Sequence, residues 1–146
     1  MKKKVIIIGV VTFIMLVIAL YFTFIYYPTC EGLACFNGKL ESCSKTHFLN
    51  DAADGVWNYK IKGKSGKSCE IYVEFLQAKV GEVEVANLEG KSMVCFTPLG
   101  TLISPQSDLK NCHGILKEEM QNLIIKKMHS YLMDNLGAVQ DGLMGI

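Results

Sequence analysis

The sequence predicts an α+β fold, in which an N-terminal transmembrane helix precedes a small disulfide-linked domain with an antiparallel sheet of about three strands packed by a C-terminal helix. Three observations support this prediction. A long uncharged run opens the chain, two stretches of alternating apolar and polar residues lie in the middle, and a stretch of helical periodicity lies near the end. All six cysteines follow the opening run.

The opening run, VIIIGVVTFIMLVIALYFTFIYY, occupies residues 5–27. At about 1.5 Å per residue it makes a helix of roughly 34 Å, which is long enough to cross a hydrocarbon core of roughly 30 Å. Lysines at positions 2–4 precede it and none follows immediately, which holds the N-terminus in the cytoplasm, while aromatic residues gather at its far end as an interfacial belt. We therefore predict a single-pass signal-anchor: a cytoplasmic basic N-terminus at 1–4, a transmembrane helix at 5–27 and everything later outside the cell membrane.

A cleaved signal peptide is the alternative interpretation of the same run. The apolar core of a signal peptide has about 7 to 15 residues and is followed by small residues at a cleavage site. Here the only approximate site is Val17-Ile18-Ala19, and the apolar run continues beyond it. The length of the run favours an anchor that is retained.

The cysteines predict three disulfides. A domain beyond the membrane lies in an oxidising compartment, and an even number of cysteines in such a small domain indicates that they pair. Their spacing leaves the connectivity open. Cys30 and Cys35 can close a small ring across Gly32, and we favour that pair. The disulfide candidates are Cys30, Cys35, Cys43, Cys69, Cys95 and Cys112.

Pro28 is expected to end the membrane helix. Residues 28–38 then predict an irregular neck, and residues 39–137 predict a single extracytoplasmic α+β domain. The apolar spacing from Lys39 to about Asn50 predicts a short helix, for which Asn37 is the expected N-cap.

The middle of the chain predicts a β-hairpin, since apolar and polar residues alternate on both arms between residues 56 and 76. A five-residue loop, Gly63–Lys67, keeps the apolar faces together. It sets Ile61 opposite Cys69 and Lys60 opposite Glu70. The predicted inward set is Trp57, Tyr59, Ile61, Cys69, Ile71, Val73 and Phe75.

The hairpin loop includes the string GKSGKS at residues 63–68, which ends like a phosphate-binding loop. Such a loop requires a glycine at the position of Ile61 and a helix after its serine. A strand pattern follows instead. We interpret the string as an exposed turn rather than a nucleotide site.

Residues 77–90 fit either an edge strand or one helical turn, and Lys91–Thr97 predicts the third strand. The C-terminal helix is predicted from about Leu109 or Gly114 to Leu136, with Ser107 or Asp108 as its cap, Gly137 after its end and a frayed tail at 138–146. Its apolar arc contains Leu116, Met120, Leu123, Ile124, Met128, Tyr131 and Leu132.

Metal binding is the strongest chemical hypothesis that the residues raise. Cys43 and His47 would share one face of the short helix, and with Cys112 and His113 they would make a Cys₂His₂ zinc set. Disulfide formation outside the membrane competes for the same thiols. Neither a Cys-x-x-Cys redox motif nor a G-x-S-x-G nucleophile pattern occurs. We therefore expect no metal, no cofactor, no catalytic residue and no enzyme activity.

The expected function is that of a non-catalytic binding or structural module held at the membrane. The net charge is +1, and three of the positive charges lie at residues 2–4, so the outer domain is nearly neutral and nucleic acid is not an expected partner. The expected partners are the lipid bilayer and a protein that the sequence does not identify. The strand at 91–97, as a sheet edge, is the predicted place for a partner strand.

Two other functions fit parts of the sequence. The charged start and apolar helix resemble those of archaeal and bacterial type IV pilins, and the resemblance implies a filament or surface-assembly subunit with a β-rich head. Pilin precursors usually carry a small residue just before the apolar run, where this chain has Lys4 and Val5. A zinc-binding or thiol-redox protein is the third interpretation.

Overall fold

The structure, a computed structural model, describes residues 2–79 and 83–144. The helices are α1 (Lys2–Phe24), α2 (Leu33–Ser42), α3 (Val83–Ala86) and α4 (Ile115–Met144). The strands are β1 (Thr29–Cys30), β2 (Thr46–Asp51), β3 (Gly55–Ser65), β4 (Ser68–Ala78), β5 (Ser92–Pro98) and β6 (Cys112–His113). Two short 3₁₀ turns, Pro105–Ser107 and Leu109–Asn111, precede β6.

The α+β class is confirmed, but the sheet has six strands rather than about three. The strands lie in chain order from β1 to β6, and every neighbouring pair is antiparallel except β1 with β2, which is parallel. β1 and β6 have only two residues each, too few to show a period in the sequence. The sequence therefore could reveal neither of the two outer strands.

The prediction of a helix from Lys39 to about Asn50 is wrong. α2 occupies much of the predicted neck, begins after Gly32 rather than Asn37, and ends at Cys43, which has a left-handed φ of 50°. β2 follows. Phe48 and Leu49 would share one face of the predicted helix, whereas in the strand Phe48 is buried and Leu49 is 50% exposed.

The hairpin of β3 and β4 is confirmed, but its predicted register is wrong by two residues. Ile61 pairs with Ile71 rather than Cys69, because the strands continue to a two-residue turn at Gly66 and Lys67. A turn of this length alone would put apolar side chains opposite polar ones. A β-bulge just after Ile61 shifts the register by one residue and restores the match of buried faces.

The predicted pairing of Lys60 with Glu70 is wrong for the same reason. Lys60 lies opposite Tyr72, and the ammonium of Lys62 instead donates to Glu70 Oε1 at 3.0 Å. Both partners are partly exposed, so this ion pair contributes less than about 1 kcal/mol.

The third predicted strand is confirmed as β5, but it is not the predicted free edge. β4 pairs with one side of β5, and β6 pairs with Val94 and Cys95 on the other. Gly114 lies against the same side, where an added Cβ would be 2.7 Å from Ser92 O. Of the two alternatives for residues 77–90, the helical turn is the one found, as α3 (Val83–Ala86), because β4 ends at Ala78 and no edge strand includes Val83 or Val85.

One face of the sheet is buried. It contains the predicted inward residues of β3 and β4, together with Phe48, Met93 and Cys95. Phe36 and Leu40 of α2, Leu88, and Leu116 of α4 cover it.

The C-terminal helix is present as α4, but it continues past Leu136 and through Gly137 to Met144. The predictions that the helix ends at Gly137 and that a frayed tail follows are therefore wrong for the residues up to Met144. Residues 145–146 lie outside the described chain. The predicted cap is also wrong, because Asp108 Oδ1 accepts from Lys110 N in the preceding 3₁₀ turn.

Candidate interaction surfaces

All six cysteines are in disulfides, which join Cys30 to Cys35, Cys43 to Cys69, and Cys95 to Cys112. The pair favoured from the sequence is among them. Because sulfur in a disulfide does not offer a thiolate, none of these residues is available as a zinc ligand or an attacking thiol in this form.

The structure separates the four residues of the hypothetical zinc set. Cys43 ends α2 while His47 lies on β2, so the helical spacing that would have aligned them does not exist. Cys112 is buried in its disulfide, and the ring of His113 lies 6.3 Å from that of Phe96 on the other face of the sheet. Among the described residues no cluster of three or more His, Cys, Asp or Glu side chains is placed to hold a metal ion.

His47 belongs to a hydrogen-bond chain on the open face of the sheet. Its Nε2 lies 2.7 Å from Asn58 Oδ1, and Asn58 Nδ2 donates to Glu74 Oε2 at 3.0 Å. Asn58 lies directly opposite Glu74 on β4 and diagonal to His47 on β2. These hydrogen bonds hold the side chains of neighbouring strands in place.

A small cavity lies between the end of β5 and the loop that follows it. It has a volume of about 20 Å³ and is lined by residues that include Cys95, Thr97 and Pro105. Thr97 Oγ1 is buried and has no protein partner among the described residues. A space of this size accommodates one water molecule, which Thr97 can bind, but not an organic substrate.

Tyr59 is the one described group whose pKa departs clearly from its ordinary value. Burial raises the pKa of its phenol from 10.0 to about 12, and the charge of Asp54 adds to this effect, whereas Asn50 and Gln106 oppose it. Within the described chain the hydroxyl makes no well-formed hydrogen bond to either amide. The folded protein therefore favours the neutral phenol.

We call the folded domain that follows α1, from β1 to α4, the head, and its stability is expected to fall at high pH because of Tyr59. Above pH 10 the unfolded chain releases this proton while the folded chain retains it, so the free energy of unfolding decreases until the folded pKa is passed. The loss from this group is about 1.4 kcal/mol at pH 11. Urea unfolding of wild type and Tyr59→Phe between pH 9 and pH 11 checks it. A constant difference between the two proteins would contradict the prediction.

The beginning of β2 lies beside the end of α1. Lys45 Nζ donates to Thr23 O at 2.6 Å and lies 5.6 Å from the centre of the Tyr27 ring. Lys60 Nζ, from β3, lies 5.2 Å from the same ring. We call this end of the sheet the α1 end.

No known protein family, no curated protein and no solved structure matches this chain.

α1 is itself an exposed apolar surface. In the described chain one helix is long and apolar enough to cross a membrane, at Ile6–Phe24, and none of that segment is buried. Its position near the N-terminus also fits a signal sequence.

A second exposed apolar surface lies on α4. Leu116 is fully buried, and Met120 and Leu123 pack against the core, but beyond them the helix leaves the sheet. Met128 is 59% exposed and Tyr131 is 69% exposed. We call this surface the distal face of α4; its residues are Ile124, Ile125, Met128, Tyr131 and Leu132.

The sequence correctly predicted that the distal residues other than Ile125 share one helical arc, but it expected the whole arc to pack against the sheet. At 100° per residue, periodicity shows which residues lie on the same side of a helix. It does not show how far along its length the helix remains in contact with the sheet. The only available signal was length, because α4 is longer than any strand that it could cover.

Proposed function

We propose that this chain is a membrane-anchored, extracytoplasmic, non-catalytic module that associates with a second copy of itself through the distal face of α4. α1 anchors the module with the N-terminus in the cytoplasm. Lysines at positions 2–4 support this orientation, and the three disulfides fit an oxidising compartment beyond the membrane.

The unpacked apolar face of α4 is the observation that carries the proposal. Ile124, Met128, Tyr131 and Leu132, with Lys127, line an open apolar groove along the helix. A helix with an apolar stripe is stable in water when that stripe packs against another element. In the described chain no element covers this one.

A second copy suits this face because the face is complementary to itself. Lys127 and Asp134 lie seven residues apart on the same flank, since seven residues return a helix almost to the same direction. Two antiparallel copies centred between Ser130 and Tyr131 set Lys127 of each beside Asp134 of the other. Twofold pairing of this kind buries the same patch on both chains.

Anchoring favours the same pairing. Chains held in one bilayer meet in two dimensions, which raises their effective concentration relative to free diffusion. A modest helix-to-helix interface is then sufficient for association.

The association is expected to weaken by about ten-thousandfold or more in the double variant Met128→Glu/Leu132→Glu, because the dimer loses four buried side chains, two from each copy, and each contributes about 1.5 kcal/mol or more. Single-molecule photobleaching of the labelled full chain in liposomes, over a range of protein-to-lipid ratios, measures the dimer fraction. The matched control, Asn122→Glu/Ser130→Glu, adds the same charge on the opposite side of α4 and should dimerise like wild type. A wild-type chain that is monomeric at all densities, or equal losses in both variants, would contradict the proposal.

A filament subunit is the second candidate, because α1 is exposed along Ile6–Phe24 and leads directly into a β-rich head. The intact mass of the native protein, together with its assembly state, distinguishes a filament subunit from an anchored module. A mature chain that begins near Val5 and forms polymers supports the filament, whereas an unprocessed chain that stops at dimers supports the anchored module.

A further inference from the structure

The geometry points to a second membrane contact: the α1 end of the sheet rests on anionic lipid headgroups through a basic and apolar foot. We define the foot as Lys64, Lys67, Leu99, Leu102 and Ile103. The inference goes beyond self-association but depends on the proposed anchor, because it requires α1 to be in the bilayer.

The sheet register places the hairpin turn at this end. Thr46, which begins β2 beside the last turn of α1, pairs with Ile61 of β3. β3 then continues through Ser65, so the hairpin extends about 13 Å beyond the start of β2, on the side from which α1 arrives. The headgroup layer beyond the hydrocarbon core is only about 5 to 7 Å thick. The hairpin tip is therefore within reach of the headgroups.

The tip carries positive charge without internal compensation. Residues 60–70 contain four lysines and one acid, Glu70, and Glu70 is paired with Lys62. Lys64 and Lys67 are exposed, and within the described residues neither has an ion-pair partner. Lysines near an anionic bilayer surface each contribute roughly a fivefold preference for it.

Apolar side chains lie next to these lysines. Pro98, at the end of β5, pairs with Ser68, and Leu99 N donates to Lys67 O at 3.4 Å. The loop that follows exposes Leu102 by 59% and Ile103 by 50%. Basic residues beside exposed aliphatic ones are the combination that binds the boundary between headgroups and acyl chains.

The arrangement also gives a role to the GKSGKS string. In the structure the string spans the end of β3, the turn and the first residue of β4, so a strand stands where a phosphate-binding loop requires a helix. A tight turn that projects lysines from the end of a sheet suits a flat anionic surface rather than an enclosed phosphate.

Fluorescence quenching in lipid vesicles tests the foot. The full chain with Leu102→Trp is reconstituted into vesicles of brominated phosphatidylcholine, with or without about one-third phosphatidylglycerol. Native Trp57 is buried in the head, 4% exposed, and serves as a constant background. We expect strong quenching of the new tryptophan, increased by the anionic lipid. Leu99→Trp gives an independent reporter of the same contact.

Two controls separate the foot from the general behaviour of the head. Leu76→Trp places the same substitution near the opposite end of β4 and should not be quenched. Lys64→Gln/Lys67→Gln, combined with Leu102→Trp, should lower the ratio of docked to undocked heads about thirtyfold on anionic vesicles. Lys79→Gln/Lys126→Gln removes the same charge elsewhere and should have little effect.

The outcomes distinguish the two proposals. If the chain floats with the vesicles but Leu102→Trp is quenched no more than Leu76→Trp, or both lysine pairs have equal effects, the foot is refuted and the anchor remains. If the chain does not float with the vesicles, the anchor is refuted and the foot with it.

Discussion

Replacing Gly114 by alanine is expected to lower the free energy of unfolding by about 3 to 5 kcal/mol. Gly114 has a φ of 136°, which L-residues rarely adopt, and an added Cβ would lie 2.7 Å from Ser92 O and 2.8 Å from Met93 Cα. Both neighbours are backbone atoms of β5, so they cannot turn aside as a side chain would. The alanine would push β6 and the start of α4 away from β5.

Two other glycines provide matched controls. Gly100 has a φ of 78° but no atom within 4 Å of an added Cβ, so Gly100→Ala should cost only about 1 to 2 kcal/mol of backbone strain. Gly38 lies inside α2 with open space around it, so Gly38→Ala should stabilise the protein by about 0.5 to 1 kcal/mol.

Urea unfolding of the full chain in detergent micelles, followed by the fluorescence of buried Trp57, measures all three variants. The expected order of stability is Gly38→Ala, wild type, Gly100→Ala and Gly114→Ala. If Gly114→Ala cost no more than Gly100→Ala, the close approach of Gly114 to β5 would be disproved.

Removing the Cys43–Cys69 disulfide is expected to cost about 3 to 4 kcal/mol. The two residues are separated by 26 positions, and the cross-link prevents the unfolded chain from opening the loop that contains β2 and β3. Cys69 is fully buried, so its replacement by alanine also leaves a small cavity.

The Cys30–Cys35 disulfide is the comparison, because it closes a loop of only five positions. Its removal should cost about 2 kcal/mol by the same argument from loop entropy. The measurement is urea unfolding of Cys43→Ala/Cys69→Ala and Cys30→Ala/Cys35→Ala, each checked by mass for the two remaining disulfides. Equal losses would show that loop length does not determine the contribution of these cross-links.

The parts of the fold that the sequence predicted are those with a long, regular period. β3 and β4 alternate over many residues, and α1 is uncharged from Val5 to Phe24, so each could be recognised without its neighbours. β2 was mistaken for a helix because Phe48 and Leu49 also fit a helical spacing. The pairing of this segment with β3 decides that it is a strand and not a helix, and that pairing cannot be recognised from the short segment alone.

The hairpin register shows a different limit. Matching the buried faces restricts the register only to alternate residues, and the five-residue loop met that condition. The protein instead uses a tight turn at Gly66 and a bulge near Gly63, two local irregularities that compensate each other. Face matching alone could not distinguish these solutions.

The candidate surfaces were less predictable than the core. Tyr131 and Leu132 have the composition of core residues, and their exposure depends on where α4 leaves the sheet. Lys67 and Leu102 are far apart along the chain, and only the pairing of β4 with β5 brings their segments to the same end. Such surfaces depend on tertiary contacts that a single sequence does not display.

The disulfides also determine how the head would transmit mechanical tension between α1 and α4. A pulling force travels through the shortest covalent route, which crosses from Cys30 to Cys35, from Cys43 to Cys69 and from Cys95 to Cys112. β2 and β3 both lie inside the second of these shortcuts and carry no load. The oxidised head would therefore stretch far less than its residue count implies, while the same chain with reduced thiols would extend fully.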